Sequence, residues 1–86
     1  MVDPKYKFLA KDIGAQIMSG QLKPGDKLLS TSKLCDKYGV SSIVVRNAML
    51  LLKALGIVVG VPGVATYLTD DAVERWKEAK DRLDGQ

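Results

Sequence analysis

The stretch Leu22–Ala48, L-K-P-G-D-K-L-L-S-T-S-K-L-C-D-K-Y-G-V-S-S-I-V-V-R-N-A, constrains the fold more than any other part of the chain. Pro24-Gly25-Asp26 predicts a turn, because proline holds φ near −65° and glycine admits positive φ. Leu28-Leu29 follows as a candidate for a very short strand. Ser30 or Thr31 is placed to cap a helix ending near Tyr38, with Leu34 and Cys35 facing inward. Gly39 supplies a tight turn and Val40 a plug between two helices. Ser41 then caps a second helix that runs to about Leu55, with Gly56 as its C-terminal stop. Two short helices joined by a glycine turn have the layout of a helix-turn-helix.

The flanks complete the pattern. Tyr6, Leu9, Ala10, Ile13 and Ile17 recur at helical spacing and predict an amphipathic helix over residues 5–19. Pro4 suits its first turn, Gly20 is placed to end it, and Met18, Met49 and Tyr6 read as core. In residues 57–68, I-V-V-G-V and V-A-T-Y-L flank Pro62-Gly63, which predicts a β-hairpin. Residues 69–71 can cap a last helix, with Asp71 and Glu74 spaced as a capping box. Its apolar residues Ala72, Val73, Trp76, Ala79 and Leu83 form one narrow stripe. The expected fold is mainly α with a small β-hairpin: a winged helix-turn-helix in the order helix, strand, helix, helix, strand, strand, followed by a C-terminal helix. Residues 1–69 form the winged domain. Residues 70–86 form the helix, expected to serve dimerisation through Val73, Trp76 and Leu83. The alternative for that stripe is to fold back on the chain's own first helix.

Composition narrows the chemistry. A chain of 86 residues with 47% apolar and 27% charged residues makes one small globular domain. No run approaches the roughly 18 apolar residues that span a bilayer, and the N-terminus has no apolar signal region. One cysteine forms no internal disulfide, which fits a reducing cytoplasm. With no histidine, the commonest general base and metal ligand are absent. No nucleophile–base pair or metal cluster stands out, so no catalytic residue, cofactor or metal is expected.

The net charge of +3 is unevenly spread. Residues 1–68 carry nine Lys/Arg against four acids, a net +5, whereas residues 69–86 carry four bases and six acids, a net −2. A basic body with an acidic tail points to a polyanion as the partner of the body. For a helix-turn-helix that polyanion is double-stranded DNA, with the second helix in the major groove. Arg46 lies on the turn of that helix facing the groove, where arginine forks onto guanine or clamps a phosphate. Asn47 suits adenine, and Ile43 or Val44 suits a thymine methyl. Ser42 shares this exposed helix start. Ser41 is a cap whose backbone N–H can also meet a phosphate. Thr31 and Ser32 open the preceding helix and can donate to phosphate. Lys33, Lys37 and Lys53 are candidate phosphate neighbours. Pro62-Gly63, with Thr66 beside it, forms the hairpin tip and is the candidate minor-groove contact.

The residues from Tyr6 to Leu68 resemble the N-terminal domain of the GntR family of bacterial transcription regulators. The matching positions are Tyr6-x-x-Leu9-Ala10 and Ile17-x-x-Gly20-x-Leu22-x-Pro24-Gly25-Asp26-x-Leu28. They continue through Leu34, Gly39-Val40-Ser41, Val45-Arg46, Ala48, Leu52 and Gly56 to Gly63 and Thr66-Tyr67-Leu68. The resemblance implies a homodimer that binds a short inverted repeat and represses transcription by occupying an operator, with helix 41–55 in the major groove and wing 57–68 at the adjacent minor groove. It places contacts at the start of the second helix, the start of the recognition helix and the wing tip.

At those places the chain departs from the family pattern. Ser32 and Ser42 stand where arginine is usual, Leu29 replaces a proline and Ala65 replaces a wing glycine. Of the usual basic readers Arg46 remains, and no charge occurs from Ile57 to Thr69. This set favours A·T-containing sites. An effector domain normally follows in the family; the roughly fifteen residues after this wing are too few for a small-molecule pocket. The expected protein is cytoplasmic and nucleoid-associated, with no membrane partner. Two other readings follow from the altered residues: an architectural factor that bends DNA during recombination, and a winged helix that binds a protein partner.

Overall fold

The computed structural model describes residues 5–84, and side chains of residues 5–82. Four helices and one hairpin follow in the order α1 (Lys5–Ser19), α2 (Thr31–Tyr38), α3 (Ser42–Ala54), β1 (Val58–Val61), β2 (Ala65–Leu68) and α4 (Ala72–Asp84). Each boundary has a local cause. The Ser30 hydroxyl accepts the Lys33 N–H at 3.2 Å, and the Ser41 hydroxyl accepts the Val44 N–H at 3.4 Å, so both helices of the helix-turn-helix start on a serine cap. Between them Gly39 adopts φ 64°, and its N–H returns to the Cys35 carbonyl. This left-handed residue turns the chain without exposing the last carbonyls of α2.

The core lies where the four helices meet the base of the hairpin. α1 contributes Leu9, Ala10, Ile13 and Ile17, and α3 contributes Val45, Ala48 and Leu52, all buried. Ile57, Val58 and Leu68 close it from the hairpin. β1 and β2 pair antiparallel with Val58 opposite Leu68 and Val61 opposite Ala65. The strand expected at Leu28-Leu29 is reduced to a single bridge from Lys27 to Tyr67. Backbone bonds from Leu28 N to Thr66 O (2.8 Å) and from Leu68 N to Asp26 O (2.9 Å) hold this segment on the outer edge of β2. The Pro24-Gly25 turn on one side and the Ser30 cap on the other leave too few extended residues for a longer ladder.

Two sequence expectations are corrected here. Met18 is 42% exposed rather than core, because α1 turns it outward beyond Ile17. Trp76, expected to meet a second copy, is buried at 5% exposure within its own domain. Gly14 of α1 makes this possible: a Cβ there would overlap the indole ring. The missing side chain opens a slot on α1, and α4 fills it with Trp76 between the buried Ala72 and Ala79. The C-terminal helix therefore belongs to the same core as the winged domain. Val73 is half-buried against that core, the Leu83 side chain lies outside the described residues, and so does Pro4.

The start of α4 is tied to the end of α3. The Thr69 hydroxyl donates to the Gly56 and Ile57 carbonyls at 2.8 and 3.1 Å. Arg75 lies along Gly56, where a Cβ would come within 2.9 Å of Cδ. Its Nε donates to the Asp71 carboxylate at 2.8 Å, which holds Asp71 below the usual carboxylate range.

Candidate nucleic-acid interface

α3 is amphipathic around its whole length. Val45, Ala48 and Leu52 face the core, and the opposite face is open to solvent. On that face Ile43, Arg46, Leu50 and Lys53 follow one another at intervals of three, four and three residues, so they form one row along the helix. The row lines an open groove of about 610 Å³, whose other walls are Thr31 at the start of α2, Ser42, Met49 and Thr66 on β2. Among the described residues no carboxylate lines this groove, and Arg46 and Lys53 are the cations that do. A shallower groove of about 450 Å³ runs along the wing from Gly60 to Thr66 and shares Lys53 and Thr66 with the first.

The structure thus brings Thr31, Ser42, Ile43, Arg46 and Thr66 together around one concavity, and Pro62, Gly63 and Thr66 around its continuation. Ser32, Lys33, Ser41 and Asn47 are exposed but lie outside both grooves. Val44 is half-buried and lines neither. Met49 and Leu50 were absent from the sequence-derived contact set, and Lys53 stood there as a phosphate neighbour on a par with Lys33 and Lys37. Helical spacing from Ile43 and Arg46 puts Met49, Leu50 and Lys53 on the same side of α3, but that they line a groove depends on the wall that Thr66 of β2 supplies.

The helix-turn-helix is held on α1 by a polar cluster that the sequence did not suggest. The Tyr38 hydroxyl donates to Asp12 Oδ2 at 2.6 Å, while Gln16 Nε2 donates to the Tyr38 oxygen at 2.9 Å and to Asp12 Oδ2 at 3.2 Å. Partial burial, then the bond to Asp12, pushes the Tyr38 phenol up to about 12. Lys37 Nζ sits 5.5 Å from the centre of the Tyr38 ring, a cation–π arrangement that keeps this ammonium beside α2.

The sequence model described as bacterial regulatory proteins of the gntR family matches residues 5–68. This chain belongs to that family. It is 39% identical over 70 residues to the mannosyl-D-glycerate transport/metabolism system repressor MngR of Escherichia coli (strain K12), a match covering 81% of this chain and 29% of the relative. The chain therefore spans less than a third of that relative's length. A GntR family transcriptional regulator from Listeria monocytogenes shares the fold with a TM-score of 0.84 at 31% identity, covering 96% of this chain and 76% of that one. AraR(DBD), solved in complex with operator ORX1, shares it with a TM-score of 0.76 at 28% identity, covering 79% of this chain and 82% of that one. The family is one of regulatory proteins, not of enzymes. No helix among the described residues is long and apolar enough to cross a membrane.

Proposed function

We propose that this chain binds double-stranded DNA in a sequence-specific manner and regulates transcription as a repressor, by occupying an operator. The observation that carries the reading is the uncovered row Ile43, Arg46, Leu50 and Lys53 on α3, flanked by the N-terminus of α2 and by the wing. An α-helix fits the B-DNA major groove, and a row of this kind is what it presents to base edges. In this arrangement Arg46 contacts guanine or phosphate, Ile43 packs on a thymine methyl and Asn47 bonds adenine, so half-sites contain A·T pairs. Thr31, Ser32, Lys33 and the cap Ser41 meet the phosphates. Pro62-Gly63 lies at the adjacent minor groove.

A homodimer on a short inverted repeat belongs to the same proposal, because two-fold symmetry in the protein matches two half-sites. Among the described residues of the α4 stripe, Val73 is the one still partly open to take part in it. The working location is the cytoplasm, at the nucleoid. A second reading, DNA bending, has one observation in its favour: Val61 and Val64, 42% and 64% exposed, flank the Pro62-Gly63 tip as apolar wedges do at kinked base steps.

The test is a titration against the gene's own upstream DNA at two salt concentrations, with Arg46→Ala alongside. Wild-type affinity falls steeply with salt, and Arg46→Ala binds roughly 5- to 150-fold more weakly, as expected for about 1–3 kcal/mol of base discrimination. Undiminished binding by Arg46→Ala removes Arg46 as the main contact. Salt-independent binding points to a protein partner instead.

A further inference from the structure

We propose that Lys53 supplies to the wing the positive charge that the wing's own sequence lacks, and that its ammonium binds a DNA phosphate lying between α3 and the hairpin. The proposal rests on the DNA-binding reading above. Three observations carry it. No charged residue occurs from Ile57 to Thr69, so the hairpin by itself offers a phosphate only neutral groups, its backbone N–H and hydroxyls such as that of Thr66. Lys53 lines both the α3 groove and the wing groove, at the seam where the two join. Its Nζ and Cε lie over Gly60 of β1, where a Cβ would stand 3.1 and 3.4 Å from them. The hydrogen at Gly60 leaves the space that the ammonium occupies.

Lys33 and Lys37 have no comparable position. Lys37 is held at the Tyr38 ring, and Lys33 lines neither groove. The alternative role for Lys53 is purely structural. A cation in the last turn of α3 favours the negative end of the helix dipole. That role affects stability and leaves the salt dependence of binding unchanged.

The two roles separate in a salt series with the full chain and a mixed-sequence B-form duplex, read by fluorescence anisotropy. Losing one phosphate contact lowers the slope of log K against log salt by about 0.9. Lys53→Gln is therefore expected to lose affinity, with the deficit about 3.5-fold larger at the lower of two salt concentrations fourfold apart. Lys53→Arg keeps the wild-type slope. Lys77→Gln, on α4 away from both grooves, removes the same charge and keeps the wild-type slope. An unchanged slope for Lys53→Gln, or an equal loss for Lys77→Gln, overturns the proposal while leaving DNA binding intact. A wild-type chain with no salt-dependent affinity for the duplex overturns the DNA reading itself.

Discussion

Gly14→Ala is expected to destabilise this protein, against the usual sign for such a change in a helix. In an open helix, alanine for glycine stabilises by about 1 kcal/mol, because glycine has more backbone freedom to lose. Here the new methyl would overlap the Trp76 ring, which is the rigid part of a buried side chain and has Ala72 and Ala79 on either side. Forcing volume into a packed site costs about 1–3 kcal/mol, and overlap with a ring belongs in the upper part of that range. The net is a loss of about 1–2 kcal/mol, from a total of about 4–13 kcal/mol for a domain of this size. The assay is urea unfolding followed by circular dichroism, in the wild type and in a Trp76→Leu background. Trp76→Leu alone destabilises by several kcal/mol, as large-to-small core changes do, and it empties the slot on α1. Gly14→Ala should then regain its normal sign, giving a coupling of about 2–3 kcal/mol between the two positions. Neither change should depend on protein concentration, because the contact lies within one chain. A stabilising Gly14→Ala in the wild type would refute the packing of α4 on α1. So would a Trp76 effect that disappears at high protein concentration, which would return the indole to an interface between copies.

Two further outcomes follow from the polar contacts. The Tyr38 phenol is raised from its ordinary value near 10 to about 12, so the folded state holds that proton more tightly than the unfolded state. Its contribution is complete below pH 10 and falls as pH rises from 10 to 12; Tyr38→Phe should flatten that limb of the stability–pH curve measured by urea unfolding. Ser41→Ala removes the cap of the recognition helix and should lower stability by about 1 kcal/mol in thermal unfolding; a silent substitution would mean that the 3.4 Å bond to Val44 contributes nothing.

Most of the wing and helix-turn-helix was legible because its punctuation is local. Serine caps, Gly39 at positive φ and the Pro62-Gly63 tip act within a few residues of their own position. The interface was legible only at its start. Ser42, Ile43 and Arg46 stand in the first turns of α3, where exposure follows from the cap. Met49, Leu50 and Lys53 depend on how β2 closes the far wall of the groove, and no spacing within α3 specifies that. The Asp12–Gln16–Tyr38 cluster joins residues 22 and 26 positions apart, and each looks like an ordinary surface group until α2 docks on α1.

The sequence alone therefore determined the order of the four helices and the hairpin, their approximate boundaries, the buried face of α3 and the basic body meeting an acidic tail. Periodicity, capping and turn chemistry are short-range effects. Tertiary structure decided the fate of Trp76 and the place of Lys53. A narrow apolar stripe on α4 is equally suited to a second copy or to the chain's own α1. Only the slot at Gly14 breaks that tie, and only the approach of β1 puts Gly60 under an ammonium on α3.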